Sequence, residues 1–149
     1  MGLDFKKFAT EGEEFLHNLS VELNCANDQQ KAGRILRTSL HAIRNHLSPN
    51  ESLQLISQFP MFLKAVYVDG WKIKTTKNKV RHMADFVKEV QNIAGPTGKG
   101  DFPTDEVVEG SINTVFMVLR KYISLGELED IKANLPKDLK GLLNYDILI

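Results

Sequence analysis

One gap-free shift constrains this chain more than any other feature. Displacing the sequence by 76 residues pairs Thr38 with Thr114, Arg44 with Arg120, Ser48 with Ser124 and Glu51 with Glu127; Pro60, Leu63 and Lys64 then fall on Pro136, Leu139 and Lys140. The apolar positions agree as well, with Leu36 over Ile112, Leu40 over Phe116, Ile43 over Leu119, Leu47 over Ile123, Leu55 over Ile131, Phe59 over Leu135 and Val66 over Leu142. Amphipathic helices aligned by chance share a period, but they do not share a cap, a glutamate three residues on and a proline nine residues after that. The expectation is an internal duplication. Upstream, Phe15-Leu16 with Leu19 pairs with Phe86-Val87 with Val90 at a shift of 71, the difference being taken up by the glycine-rich stretch of the second half.

The period inside each copy is helical. Phe5, Phe8, Phe15, Leu16, Leu19 and Leu23 form one stripe, interrupted at Gly12; Leu36, Leu40, Ile43 and Leu47 form another, with Asn27 and Gln30 as a capping box ahead of it. In Ser48-Pro49-Asn50-Glu51 the serine caps, the proline takes the first helical position, where its missing N–H is no loss, and the glutamate reaches back. That helix carries Leu53, Leu55 and Ile56 and must stop or bend before Pro60, which opens a short one through Leu63 and Val66. Val80, Met83, Ala84, Val87, Val90 and Ala94 form a further stripe, closed by Gly95; Gly95 to Gly100 reads as a flexible connector. Thr104 caps the next helix, with Asp105 and Glu106 in its first turn, and Ser124 with Glu127 makes a second capping box. The expected fold is therefore all-α: a helical bundle of two degenerate repeats, three to four helices each, about 1–71 and 78–149, joined by a basic connector over 72–77. Halves of this size bury too little surface to stand alone, so they should pack into one domain along an apolar seam.

At this point the residues resemble a known family. Arg34-Ile35-Leu36-Arg37-Thr38, Leu47-Ser48-Pro49-Asn50-Glu51-Ser52, Gln58-Phe59-Pro60-Met61-Phe62-Leu63-Lys64 and Tyr67-Val68-Asp69-Gly70-Trp71 are similar to the mainly bacterial domain of unknown function 2267. That pattern is a helix, a Leu-Ser-x-x-Glu turn, a Gln-Leu-Pro step and a Tyr-x-x-Gly-Trp ending. Here Phe59 replaces the leucine, and the second half has Asn134-Leu135-Pro136 with no Tyr-Gly-Trp ending after it. The resemblance implies an all-helical fold and supplies no activity, cofactor or site.

The chemistry legible in the residues is sparse. Acidic and basic residues balance at 19 each, so no global field draws the chain to nucleic acid or an anionic membrane. Met1 to Phe8 has no basic-then-apolar signal pattern, and Lys6 stands where a myristoylation motif wants Ser or Thr; no membrane contact is expected. The single Cys25 suits a reducing compartment, and the expected location is the cytoplasm. His17, His41, His46 and His82 include no pair at the four-residue spacing that serves a metal, so neither metal nor cofactor is expected. Gly98-Lys99-Gly100 lacks the Ser or Thr of a phosphate loop. Tyr67, Gly70 and Trp71 read as a helix end with Trp71 over the seam. Two basic features remain: Lys72, Lys74, Lys77, Lys79 and Arg81 in the connector, and Arg34, Arg37, His41 and Arg44 on one helical face beside the apolar stripe. That face should be exposed, its arginines either paired with acids of the same chain or free for carboxylate or phosphate. The function expected is a non-catalytic helical interaction or scaffold module with a protein partner. The alternative is a small anionic ligand or nucleic acid bound through Arg34, Arg37, His41 and Arg44.

Overall fold

The computed structural model describes residues 2–74 and 80–144. Residues 75–77, half of the basic connector, lie outside the described residues, and so does Lys79. Within them the chain is all-helical and no strand occurs: α1 (Phe5–Glu22), α2 (Gln29–Arg44), α3 (Pro49–Ser57), α4 (Met61–Val68), α5 (Met83–Ala94), the single turn α6 (Gly98–Asp101), α7 (Asp105–Leu119) and α8 (Leu125–Asn134), with 3-10 segments at Gly95–Thr97 and Lys137–Leu143. None of these helices is long and apolar enough to cross a membrane.

The sequence signals explain most boundaries. Ser48 accepts from the Glu51 amide at 3.2 Å while Glu51 Oε1 accepts from the Ser48 amide at 2.6 Å, a complete capping box with Pro49 in the first turn. Thr104 accepts from the Val107 amide, as expected of a cap. Gly95 ends α5 at φ +75° and Gly70 follows α4 at φ +65°, the left-handed region a side chain would strain.

Four expectations change. The cap of α2 is Asp28, which accepts from the Lys31 amide, rather than Asn27 with Gln30: the carboxylate one residue on meets its N–H in the right register. Ser124 accepts from the Glu127 amide, but the reciprocal bond is missing, because Gln58 Oε1 takes the Ser124 amide at 2.9 Å. The box at α8 is therefore half a box, completed from the end of α3. The segment after Pro136 is a 3-10 segment rather than an α-helix. Finally, Gly95 to Gly100 is no flexible connector; it is coiled into helical turns, and Gly98 is buried against α5 so closely that a Cβ there would lie 2.2 Å from the Gln91 carbonyl oxygen.

One apolar core runs through the molecule. α2 packs against α1, α4, α5 and α7; α1 also meets α4 and α7, and α3 touches both α4 and α8. Leu40, Ile43, Leu55, Leu63, Ile112, Phe116, Leu119 and Leu139 are all fully shielded from water, along with Phe86, Val90 and Phe102. At roughly 1.5–3 kcal/mol for each large apolar side chain taken out of water, this shared core dominates the stability. The outer ends of two expected stripes stay wet: Phe5 and Ala84 are exposed.

Candidate functional site

The row Arg34, Arg37, His41 and Arg44 climbs one side of α2 at spacings of three, four and three, so a single helix face carries all four. Its surroundings come from two other elements. The C-terminal end of α4 brings the backbone carbonyls of Val66, Tyr67 and Asp69 against the upper part of the row, and α6 brings Asp101 against the lower part.

Each of the four side chains has a partner within the chain. Arg34 grips Asp101 with two bonds, Nε to Oδ2 at 2.8 Å and Nη2 to Oδ1 at 3.2 Å. Asp101 is 6% exposed, and its hydrogen bond from the Arg34 guanidinium holds its carboxyl below the usual carboxylate range. Arg37 donates to the Asp69 carboxylate, with both side chains about half exposed at 51% and 58%. An exposed pair of this kind contributes little to stability. His41 is buried; its Nε2 donates to the Val66 carbonyl at 2.8 Å, and burial lowers its pKa, so it stays neutral near pH 7. Arg44 is buried too and donates through Nη1 to the carbonyls of Tyr67 at 2.6 Å and Asp69 at 3.1 Å. Those oxygens lie in the last turn of α4 and at the cap just past it, where backbone acceptors lack helical partners and a cation is favoured.

The expectation of one exposed basic face is thus corrected. His41 and Arg44 are buried because α4 ends on top of them, Arg34 is pinned to α6, and the Arg37 guanidinium alone of the four is on an exposed residue. As a unit the row ties α2 to the end of α4 and to the turn after α5. A ligand anion would have to displace Asp101 and Asp69 to reach it.

The other residues singled out in the sequence are dispersed. His17 is exposed beside Gln29, His46 is buried against Glu89 at 3.1 Å, and His82 lies on the surface 2.8 Å from Asp138. Among the described residues no three His, Cys, Asp or Glu side chains are grouped to hold a metal ion. Cys25 is half-buried, and burial raises its thiol pKa, the opposite of nucleophile activation. Tyr67 is fully buried, with its hydroxyl 2.7 Å from Ser52, and Trp71 sits half-buried edge-on to its ring.

Two features escaped the sequence reading. Asp69 and Asp101 are the acids that occupy the arginines; their distances of 32 and 67 residues along the chain gave no signal. The outer face of α4 is the second. Met61, Ala65 and Val68 recur at four and three, within about 60° of one another around the helix and opposite the buried Leu63 and Tyr67; Met61 and Val68 are 48% and 42% exposed. A signal was available here, since Met61 to Val68 is apolar all round except for Lys64, and such a helix has one apolar face more than a single core contact uses.

A family model described as an uncharacterised conserved protein, DUF2267, matches residues 12–142. No curated protein matches the chain.

Proposed function

The chain belongs to the DUF2267 family, whose description assigns no chemistry, and from its surface we propose that it is a non-catalytic helical interaction module. The observation that carries this reading is the outward row Met61, Ala65 and Val68 on α4. Single exposed aliphatic residues are ordinary, but three on one face at helical spacing match the anchors with which a helix docks on another protein. Leu53 is also exposed, on α3, which packs against α4. The partner is accordingly a protein offering an apolar helix or groove.

The same reading takes residues 1–71 and 78–149 as two degenerate copies within one domain. It is supported by the paired positions of the 76-residue shift, whose apolar members are buried in both copies except Val66, which is half-buried. A cytoplasmic location belongs to the proposal too, because a lone half-buried cysteine is at home in a reducing compartment.

The alternative, an anion held by Arg34, Arg37, His41 and Arg44, is disfavoured by the partners those side chains already have. The test uses the wild-type chain and a Met61→Glu, Val68→Lys double variant as baits in extracts of the source cells. The new charges suit the two ends of the α4 dipole, so the fold is kept. A partner captured by wild type, retained as salt rises from ~0.05 to ~0.5 M and lost by the variant supports the module. A partner that leaves with salt, and that is insensitive to the α4 changes but lost on Arg37→Ala, supports the anion reading instead.

A further inference from the structure

A cleft of about 140 Å³ opens between α3 and α8, lined by Glu51, Gln54, Glu127, Asp130, Ile131 and Asn134. Among the described residues its lining holds three carboxylates and no cationic side chain. Glu51 and Glu127 start from equivalent positions in their helices and are used differently. Glu51 Oε1 accepts from the Ser48 amide and completes its capping box. The matching amide, that of Ser124, is already taken by Gln58, so the Glu127 carboxylate has no cap to make. Glu127 is 8% exposed, and its side chain has no hydrogen-bond or ion-pair partner among the described residues. Burial raises the pKa of the Glu127 carboxyl, and the neighbouring carboxylates of Asp130 and Glu51 push it the same way, so a cation entering the cleft is favoured.

We propose that the α3–α8 cleft receives a lysine side chain from a basic segment of a protein partner, the ammonium meeting Glu127 and Asp130 while the stem lies along Ile131. The chemistry fits on both counts. Three carboxylates with the amide oxygens of Gln54 and Asn134 are acceptors for the three donors of an ammonium, and an aliphatic wall suits the four-carbon stem. A metal ion suits the cleft less well, because no three of its acidic groups converge closely enough to ligate one. The inference rests on the interaction-module reading, and it adds a second, polar contact flanking α3 to the apolar one on α4.

The experiment is a titration of the full-length, isotope-labelled chain with a pentalysine peptide, followed by amide chemical shifts. Saturable changes are expected at Gln54, Glu127, Ile131 and Asn134, and none with the fully acetylated peptide. Glu127→Gln should weaken binding about tenfold, the loss of one charge-assisted bond in a sheltered site, while Glu106→Gln on the exposed first turn of α7 leaves it unchanged. Glu127→Gln also removes a buried charge, so its melting temperature should equal or exceed that of wild type; should it fall, Asp130→Asn on the exposed rim serves as the second variant. Shifts spread over acidic residues generally, or equal affinity in both cleft variants, would overturn the proposal. So would the same local, saturable shifts from magnesium chloride alone. Failure here with α4-dependent capture intact would remove the lysine contact and leave the module reading standing; loss of α4-dependent capture with the cleft titration intact would do the reverse.

Discussion

Replacing Gly98 with alanine should be among the most damaging single changes on the surface side of the second half. The new Cβ would sit 2.2 Å from the Gln91 carbonyl oxygen and 2.9 Å from that residue's Cα and carbonyl carbon. This is about 1 Å short of the roughly 3.3 Å at which a carbon and a carbonyl oxygen normally meet. The obstacle is α5 backbone, so no side chain can swing aside. α6 would have to lift off α5, yet Phe102 is fully buried and Gln91 Nε2 donates to its carbonyl at 2.8 Å, while Asp101 is held by Arg34. Overpacking against a fixed neighbour costs about 1–3 kcal/mol and the Gln91–Phe102 bond adds about 1 kcal/mol. A loss of roughly 2–4 kcal/mol corresponds to a fall of about 5–15 °C in Tm for a chain of this size. The assay is thermal unfolding followed by circular dichroism, with Gly100→Ala as control. Gly100 has open space around its would-be Cβ and no positive φ, so alanine there should be neutral or raise Tm by about 1–4 °C by restricting the unfolded chain. Equal, small effects at both glycines would mean that the hexapeptide is a loose connector and that its packing on α5 is wrong.

Ser48→Ala and Ser124→Ala should each lower stability by about 1 kcal/mol, the usual worth of an N-cap, seen as a fall of about 2–4 °C in Tm. Tyr67 offers a pH test: burial pushes its phenol up to about 12, so in a spectrophotometric titration it should ionise after an ordinary tyrosine near 10. The sign follows from the raised folded value: the contribution of Tyr67 to stability is complete below about pH 10 and is lost as pH rises through about 12. Tyr67→Phe would leave the buried Ser52 hydroxyl without its partner and should cost about 1–3 kcal/mol in denaturant unfolding.

Local signals carried the fold a long way. The caps at Ser48 and Thr104, the terminators Gly70 and Gly95 and the stop before Pro60 are decided within a few residues; the apolar period and the 76-residue shift named Leu36, Leu40 and Ile43 in the core of α2 and Ile112, Phe116 and Leu119 in that of α7, and missed Ile35, Val108 and Val115 beside them. What escaped was decided at long range. Gln58 displaces Glu127 from its cap across 66 residues, and Gly98 is a close-packing glycine only because α5 lies beneath it. The basic row shows the same division most clearly. Its common face was readable from spacing, whereas the burial of His41 and Arg44 under the end of α4 and the pairing of Arg34 with Asp101 depend on which elements meet. The α4 row was readable in part, since its residues are apolar at helical spacing, but which of its two apolar faces turns outward is set by the packing of Leu63 and Tyr67.

The central claim, that the α4 face is where this module meets its partner, is tested most directly by amide hydrogen exchange on the wild-type chain with and without the captured protein. Added protection is expected over α3 and α4, residues 49–68, with the amides of α2 from Arg34 to Arg44 unchanged. Protection confined to α2, with α4 exchanging as fast in the complex as alone, would contradict it.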